Sequence, residues 1–298
     1  MLRQVWNAYR GWAKVARDMQ TRSRRWNLAA LYCVSAAAVF GALASVAPDL
    51  WSAGAASAAT LASAVGAFFG RQIVGAGDEA GWIQARAVAE GIKCECYRYA
   101  ARAGAYSVAG ADAATALATR TAEIASQATN KGLVRADDPV PESGDRREPH
   151  VPLTTDWYRK GRIQDQIDWY RQTRKRNQEA AEKLWWVAFA AGLAAIVFGA
   201  LGAWAQRFAP WIGAMTTIAA SIAAYGLLDR RKYLIGSYAA MQSSLEQILG
   251  IDEAKPMNIL DLVTTTENLL ESEHKAWLPQ MLGRQHQPQA QQEAKQEA

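Results

Sequence analysis

The chain has 298 residues, half of them hydrophobic, and its formal net charge is +5, with 33 Lys and Arg against 28 Asp and Glu. Its mean hydropathy is slightly negative at −0.16, so the apolar residues are concentrated in a few stretches and the remainder is strongly polar. Of the three cysteines, Cys94 and Cys96 form an isolated C-x-C without a nearby histidine, which argues against a structural zinc site and suits a reducing compartment.

Residues 1–25 are predicted to form an amphipathic helix that packs on its neighbours ahead of the first apolar run. Seven Lys or Arg lie here against Asp18. A basic segment can indicate nucleic-acid binding, but this charge borders an apolar run and no nucleic-acid-reading module is visible. We therefore interpret it as a determinant of membrane orientation and expect no nucleic-acid partner.

Four uncharged runs follow in two pairs, at residues 26–46 and 50–70 and then at 184–206 and 208–228. As a helix, each run reaches about 30 Å, which is roughly one hydrocarbon core. A buried helix of a soluble protein is the alternative for 50–70, but four runs flanked by arginine would need a very large soluble core. The pattern predicts an all-α integral membrane protein with two helical hairpins and long cytoplasmic helical extensions.

The segments between and after the hairpins complete the expected order. Residues 71–130 are predicted to continue as a long helix, with Gly75 and Gly77 as candidate kink positions and with Glu90–Lys93 and Glu95–Arg98 as solvated pairs on it. The Pro- and Gly-rich residues 131–153 are predicted to be a linker. Residues 155–183 show a heptad-like seam before the second hairpin, residues 258–277 form an acidic amphipathic helix, and the Gln-rich tail at 283–298 is predicted to be disordered.

The two halves repeat the same order of basic helix, hairpin and amphipathic helix. The stretches 26–71 and 184–229 have the same length and the same parts. We interpret this as an internal duplication, with a first unit at 1–130 and a second at 154–282 on either side of the linker.

The return helices of both hairpins have two different faces. In 208–228 the bulky apolar residues share one side, and small residues with hydroxyl groups lie opposite. The candidate pore-lining residues are therefore Thr60, Ser63, Thr217 and Ser221. Small residues also recur every four positions, which allows helices to approach closely in lipid. The candidates for bundle packing or a homo-oligomer interface are Gly66, Gly70, Ala195 and Gly199.

No pattern that carries enzyme chemistry is found. There is no Gly-rich phosphate loop, no G-x-S-x-G, no H-E-x-x-H and no carboxylate pair in an apolar setting. The histidines His150, His274 and His286 are not grouped with a nucleophile or a metal cluster. We therefore expect no enzyme activity, no cofactor and no metal site.

Residues 162–186, RIQDQIDWYRQTRKRNQEAAEKLWW, resemble the entry to the SLATT domain, the SMODS and SLOG-associating two-transmembrane effector, where an R-x-x-D-Q-x-x-W-Y helix leads into a two-helix hairpin. The motif falls on Arg162, Asp165, Gln166, Trp169 and Tyr170. Residues 89–107, AEGIKCECYRYAARAGAYS, resemble the post-hairpin helix of a second SLATT subtype. Glu267, Glu273 and Trp277 fit the terminal helix of the family.

The resemblance implies a tandem SLATT protein in the bacterial inner membrane, acting as an effector of a conflict or anti-phage defence system. Such a protein would form a pore or disrupt the membrane when a soluble sensor or a nucleotide-derived signal reaches its cytoplasmic helices. The alternatives are a non-conducting membrane scaffold or sensor for a soluble partner, and a constitutive small-ion channel. No catalytic residue is implied.

The charges around the hairpins predict that both termini and the linker are cytoplasmic, because Lys and Arg flank the outer ends and only Arg207 lies at a hairpin tip. Reporter fusions after Ala47 and within residues 139–149 should report opposite sides of the membrane, with the linker inside. A linker outside the cell would contradict this topology.

Overall fold

The computed structural model describes residues 1–75, 78–107, 111–136, 147–228 and 231–282, and every regular element within these ranges is helical. The α-helices are α1 (Leu2–Val46), α2 (Asp49–Gly75), α3 (Asp78–Ala101), α4 (Ala111–Thr129), α5 (Thr155–Tyr158), α6 (Asp165–Trp204), α7 (Ala209–Leu228), α8 (Arg231–Ala254) and α9 (Ile259–Leu282). Short 3-10 turns lie at Gly104–Tyr106 and Gln206–Phe208, and a π-helical turn at Arg159–Gln164 joins α5 to α6.

The prediction of an all-α membrane protein is confirmed. In the part of the chain that the structure describes, four helical stretches are long and apolar enough to cross a membrane, namely Leu2–Val46, Asp49–Gln72, Thr155–Trp204 and Gln206–Gly226. The predicted disordered tail at 283–298 and the linker residues 137–146 lie outside the described residues.

The chain forms two compact units, and each draws on both halves of the sequence. We call Met1–Thr21, Asp78–Tyr170 and Met241–Ala298 the polar unit, and Arg22–Gly77 with Arg171–Ala240 the membrane unit. The predicted division into two tandem halves around residues 131–153 describes a repeat in the sequence. The two compact units each combine segments from both halves, so they do not test this division, and it remains a prediction.

The polar unit has an aromatic core. Trp6 of α1, Tyr97 of α3 and Tyr158 of α5 are fully buried, and their rings meet at centroid distances of 6.0 Å (Trp6–Tyr97) and 5.8 Å (Tyr97–Tyr158). The edge-to-face geometry of both contacts adds to the apolar area that these side chains bury. Helix α3 packs on α4 and on α9, so this core joins segments that are far apart in sequence.

The single helix expected over 71–130 is wrong, because the chain turns twice after Ala101. Arg102 adopts a left-handed conformation with φ 57°, and the Ala103 N–H donates to the Arg98 carbonyl at 2.9 Å, which closes the end of α3. This is a Schellman-type cap with arginine at the position that glycine usually takes. Gly104 follows, also with positive φ, and begins the short 3-10 turn Gly104–Tyr106 that comes before α4.

The membrane unit contains two antiparallel hairpins whose helices approach closely. In the first, the Trp26 and Phe69 rings lie 5.4 Å apart, and a Cβ on Gly66 of α2 would lie 3.1 Å from Cys33 Cβ of α1. In the second, the Phe198 ring of α6 lies 5.8 Å from that of Trp211 of α7.

Large apolar side chains cover the outside of the membrane unit. They include Tyr32, Leu61, Phe68, Trp186, Phe189 and Ile196, all exposed. Such a continuous apolar exterior is unstable in water and fits hydrocarbon.

The contact at Gly66 predicts that a side chain there separates the first hairpin. Gly66→Leu should cost about 1–3 kcal/mol through overpacking against Cys33, and it should lower the melting temperature of the detergent-solubilised protein. Gly70→Leu is the matched control, since no atom lies within 4 Å of a Cβ at Gly70. Equal losses in the two variants would contradict the close approach.

Candidate functional site

The π-helical turn at Arg159–Gln164 begins the candidate site, which lies in the polar unit. The turn places Arg162 and Ile163 in the interior directly after the buried Tyr158. A π-helical turn is rare and is often found at functional positions. Here it overlaps the R-x-x-D-Q segment, since Arg162 lies within the turn and Asp165 begins α6.

A buried ion pair lies at the centre of this site. Arg162 Nε donates to Glu267 Oε1 at 2.9 Å and Nη2 donates to Oε2 at 2.7 Å, so the guanidinium binds the carboxylate through two parallel hydrogen bonds. Tyr158 Oη donates to Oε1 at 2.7 Å. The side chains of Arg162 and Glu267 are only 2% and 0% exposed, so almost no water solvates either charge.

Helix α3 and the first turn of α6 supply the remaining neighbours of the pair. The Arg162 guanidinium carbon lies 4.6 Å from the centroid of the Tyr97 ring, within the range of a cation–π contact. Arg162 also approaches Gln166 Oε1 at 3.4 Å and Cys94 Sγ at 3.9 Å. The pair therefore joins α3, the π-helical turn and α9 at one point.

Burial and the ion pair shift the pKa values of the titratable groups at this site away from neutral pH. Burial by itself would raise the pKa of Glu267, but the Arg162 charge and the hydrogen bonds from Arg162, Tyr158 and Cys94 hold that pKa below its usual range. Burial, followed by the Glu267 charge, raises the pKa of the Cys94 thiol well above normal. At neutral pH Glu267 is ionised and Cys94 is a thiol, so the arrangement holds helices together and offers neither a poised base nor a thiolate.

A second network attaches α3 to α9. Arg98 donates to Glu95 Oε1 at 2.6 Å, to Glu271 Oε2 at 2.6 Å and to Asn268 Oδ1 at 2.8 Å. Tyr106 Oη donates a short hydrogen bond to Glu95 Oε2. Arg98 thus links one acid on its own helix to two polar groups on α9.

The expected pairs Glu90–Lys93 and Glu95–Arg98 both form, but the expectation that they are solvated is wrong. Lys93 and Glu95 are buried, at 5% and 4% exposure. The i,i+3 spacing was informative about the pairing and uninformative about burial, which depends on the packing of α9 and α4 on this helix.

The other motif residues lie on two sides of the start of α6. Tyr170 is buried and donates to Glu273 Oε2 at 2.7 Å, and Gln166 is buried beside Arg162. Asp165 Oδ1 accepts from Arg147 Nη2 at 3.3 Å in a half-exposed pair, and the Arg86 guanidinium carbon lies 5.2 Å from the centroid of the Trp169 ring. The side chain of Trp277 lies outside the described part of the chain.

Sequence reasoning singled out Arg162, Glu267 and Glu273, and the structure brings the first two together. It missed Tyr158, Cys94 and Tyr97 as parts of the cluster. Tyr158 lies four residues before Arg162, on the same side of a helix, which is the one signal that was available.

In the membrane unit, α7 has the two faces that the sequence predicts. Ile222 and Tyr225 are buried and Met215 is half-buried, whereas Thr217 and Ala220 on the opposite side are exposed. No atom lies within 4 Å of a Cβ built on Gly213 of the same side. The small-residue face of α7 is therefore open in the single chain.

The candidate hydroxyls are largely bonded to their own helices. Thr60 Oγ1 donates to the Ala56 carbonyl at 3.0 Å, and Ser221 Oγ donates to the Thr217 carbonyl at 2.7 Å. Ser63 and Thr217 are exposed. A hydroxyl bonded in this way is satisfied in an apolar medium and remains able to accept a hydrogen bond.

The candidate packing residues differ in their surroundings. Gly66 lies tight against Cys33, and Ala195 is buried. A Cβ on Gly199 would meet Ile212 Cδ1 at 3.9 Å, an ordinary contact, and one on Gly70 would meet nothing within 4 Å. Gly66 and Ala195 therefore pack within the chain.

Among the described residues, no group of three or more His, Cys, Asp and Glu side chains is placed to hold a metal ion.

Comparisons with known proteins match two segments of the chain. Residues 158–277 match the family described as SMODS and SLOG-associating 2TM effector domain 1 (SLATT_1). Residues 10–112 match a family of proteins of unknown function, DUF4231. No curated protein and no solved structure matches the chain. The first match begins at Tyr158 and contains both Arg162 and Glu267, so the buried pair belongs to the matched domain.

The geometry of the Arg162–Glu267 pair predicts how much folding free energy is lost when one or both charges are removed. Arg162→Leu or Glu267→Leu alone leaves an unpaired buried charge and should cost about 3–5 kcal/mol, whereas the double variant should recover most of that loss. Asp165→Asn, which breaks the half-exposed pair with Arg147, should cost no more than about 1 kcal/mol. The labelling rate of the buried thiols Cys94 and Cys96 by a maleimide, in a Cys33→Ser background, measures the opening of the polar unit.

The pH dependence has a definite sign. Because the pKa of Glu267 is lowered on folding, its contribution to stability is complete above the ordinary carboxyl pKa and is lost as the pH falls through the lowered value. Wild type should therefore open on acidification more steeply than the apolar double variant. Equal costs for the single and double variants, or equal acid sensitivity, would contradict a coupled pair.

Proposed function

Since residues 158–277 carry a SLATT domain and the chain as a whole fits a tandem SLATT-type protein, we propose that it is a regulated pore-forming effector of a bacterial conflict or anti-phage defence system. The match of residues 158–277 to a two-transmembrane effector domain supports this proposal. The pore and its regulation are the proposed part.

The single observation that carries the pore proposal is the open face of α7. A helix that only filled a bundle would turn its small residues inward, as Gly66 and Ala195 do in α2 and α6. In α7 the bulky residues are inside and Gly213, Thr217 and Ala220 face outward. In lipid such a face gains by packing on another helix or by lining water, and both outcomes lead to an assembly.

The assembly is proposed to be a homo-oligomer. Gly199 is the better residue for testing this than Gly66, because Gly66 already packs against Cys33 within the chain. An uncharged wall of small and hydroxyl-bearing residues from several copies would pass ions with little selectivity and could close by dewetting.

Opening is proposed to start in the polar unit. Helices α1 and α6 each contribute residues both to this unit and to the membrane unit, so a rearrangement of their first turns has a covalent route to the spans. The Arg162–Glu267 pair is a suitable restraint, because it has one good geometry and a high cost once broken. A soluble sensor or a nucleotide-derived signal is the proposed trigger. The proposed location is the bacterial inner membrane, with both termini cytoplasmic.

One observation favours a second candidate, a non-conducting scaffold or sensor for a soluble partner. The hydroxyls of Thr60 and Ser221 are satisfied by carbonyls of their own helices and need no water path. A constitutive small-ion channel differs from the first proposal only in needing no trigger.

Dye leakage from vesicles, combined with cysteine block, tests the proposal. Wild type should release dye only slowly, and Glu267→Gln, which weakens the restraint, should release it several-fold faster than protein-free vesicles. In a background without native cysteines, a charged thiol reagent should block leakage through Thr217→Cys or Ser221→Cys. It should leave leakage through Ile218→Cys or Ile222→Cys unchanged, because Ile222 is buried on the opposite face.

Leakage in wild type without any trigger would support the constitutive channel. The absence of leakage in wild type and in every Arg162 and Glu267 variant, with protein shown to be inserted, would favour the scaffold. Equal block at 217 and 218 would remove α7 from the pore wall while leaving the pore itself standing.

A further inference from the structure

The two ends of the membrane unit differ in charge. At the hairpin tips, the described ionisable residues are Asp49 and Arg207, which balance each other. At the opposite end lie Arg24 and Arg25 before the first span, Arg71 after the second and Lys183 before the third. We call these four residues the basic collar.

The collar side chains are exposed and belong to the boundary of the spans. The Trp26–Phe69 ring contact at 5.4 Å joins the start of the first span to the end of the second, and it places Arg25 and Arg71 at the same end of the hairpin. Within the described residues, none of the four collar side chains makes a hydrogen bond or an ion pair in the fold.

Acidic residues offset little of this charge. No Asp or Glu lies within one helical turn of Arg24, Arg25 or Arg71 in the sequence. Glu179 and Glu182 lie within one turn of Lys183 and offset part of its charge, so the first hairpin carries most of the collar.

Exposed aromatic rings fix the depth of the collar. Trp185 and Trp186 are exposed two and three residues after Lys183, and Trp204 is exposed at the far end of the same helix. At 1.5 Å per residue, Trp185 and Trp204 are about 28 Å apart along the axis, close to the thickness of a hydrocarbon core. Tryptophans at this separation match the two interfacial belts of a bilayer, which puts the collar at headgroup level on one side.

We propose that the basic collar is a binding surface for anionic phospholipid headgroups. The site is exposed, strongly positive, continuous with the apolar exterior of the spans and bordered by interfacial aromatics, and a phospholipid satisfies all of these at once: its phosphate meets the guanidinium groups and its acyl chains meet the neighbouring rings. A soluble polyanion would match the charge and leave the adjoining apolar surface unexplained. The inference goes beyond the proposed function and holds whether or not a pore opens.

Quenching of tryptophan fluorescence by brominated lipids tests the collar directly. In a background with Trp51, Trp204 and Trp211 changed to Phe, the tryptophans of the membrane unit are Trp26, Trp185 and Trp186, all beside the collar. In vesicles of phosphatidylglycerol and phosphatidylcholine, bromine is placed on the acyl chains of one lipid or the other at equal mole fraction. We expect about fivefold local enrichment of the anionic lipid, the scale set by one basic residue near a charged surface.

A matched pair of variants tests whether the basic collar causes the preference for the anionic lipid. The variant with Arg24, Arg25, Arg71 and Lys183 changed to Gln should be quenched equally by both lipids. Changing Arg3, Arg120, Lys131 and Lys255 to Gln removes the same charge from exposed positions of the polar unit and should retain the preference. Changing Arg24, Arg25 and Arg71 to Lys should also retain it, because headgroup binding needs the charge more than the guanidinium shape.

Each outcome decides the matter. Equal quenching of wild type by the two lipids overturns the proposal, and so does a preference that survives loss of the collar. If the fourfold variant fails to insert, the variant with Arg24→Gln and Arg25→Gln alone carries the test and must lose most of the preference. Raising the salt concentration should weaken the wild-type preference, since the collar is solvent-exposed.

Discussion

The packing of the polar unit depends on a buried ion pair that water does not solvate. Taking Arg162 and Glu267 out of solvent costs several kcal/mol per ion, and only the paired geometry offsets that cost. The pair and its neighbours come from α3, the π-helical turn and α9. These three segments must therefore keep one arrangement, because any other would leave a buried charge unpaired. Apolar residues of similar volume would hold the helices as firmly but would tolerate sliding. We therefore expect the pair to contribute more to the uniqueness of the packing than to its stability.

A different solvent constrains the membrane unit. In hydrocarbon every backbone group must be bonded within its own helix, and the hydroxyls of Thr60, Thr216 and Ser221 are likewise bonded to carbonyls three or four residues back. Association of these helices depends on fit, since the surroundings are as apolar as the side chains. This is why Gly66 faces Cys33 closely while large side chains such as Leu61 and Ile196 remain outside.

The sequence was most informative where the constraint is local. The spans were predicted because a charge-free length is a property of consecutive residues, and the two faces of α7 followed from helical periodicity alone. The end of α3 was not predictable, because Arg102 takes a left-handed conformation without the glycine that would signal it. The carboxylate partner of Arg162 lies on α9, more than 100 residues away, and Glu95 is bonded by Tyr106, which lies beyond the turn at Arg102, so no local pattern contains these contacts. The basic and aromatic residues at the span ends could be identified in the sequence, but only the structure shows that their side chains are exposed.

The π-helical turn determines the rotational orientation, about the helix axis, of the residues that follow it in α6. An α-helix advances 100° for each residue, so removing the one extra residue of this turn would rotate α6 about its axis by roughly that angle relative to α5. Gln166 and Tyr170 would then turn away from Arg162 and Glu273, which they now contact. The side chains that the first turns of α6 contribute to the polar unit thus take their orientation from a single irregular turn before them. A deletion between Tyr158 and Asp165 would therefore change the packing of the site without altering the side chains that form it.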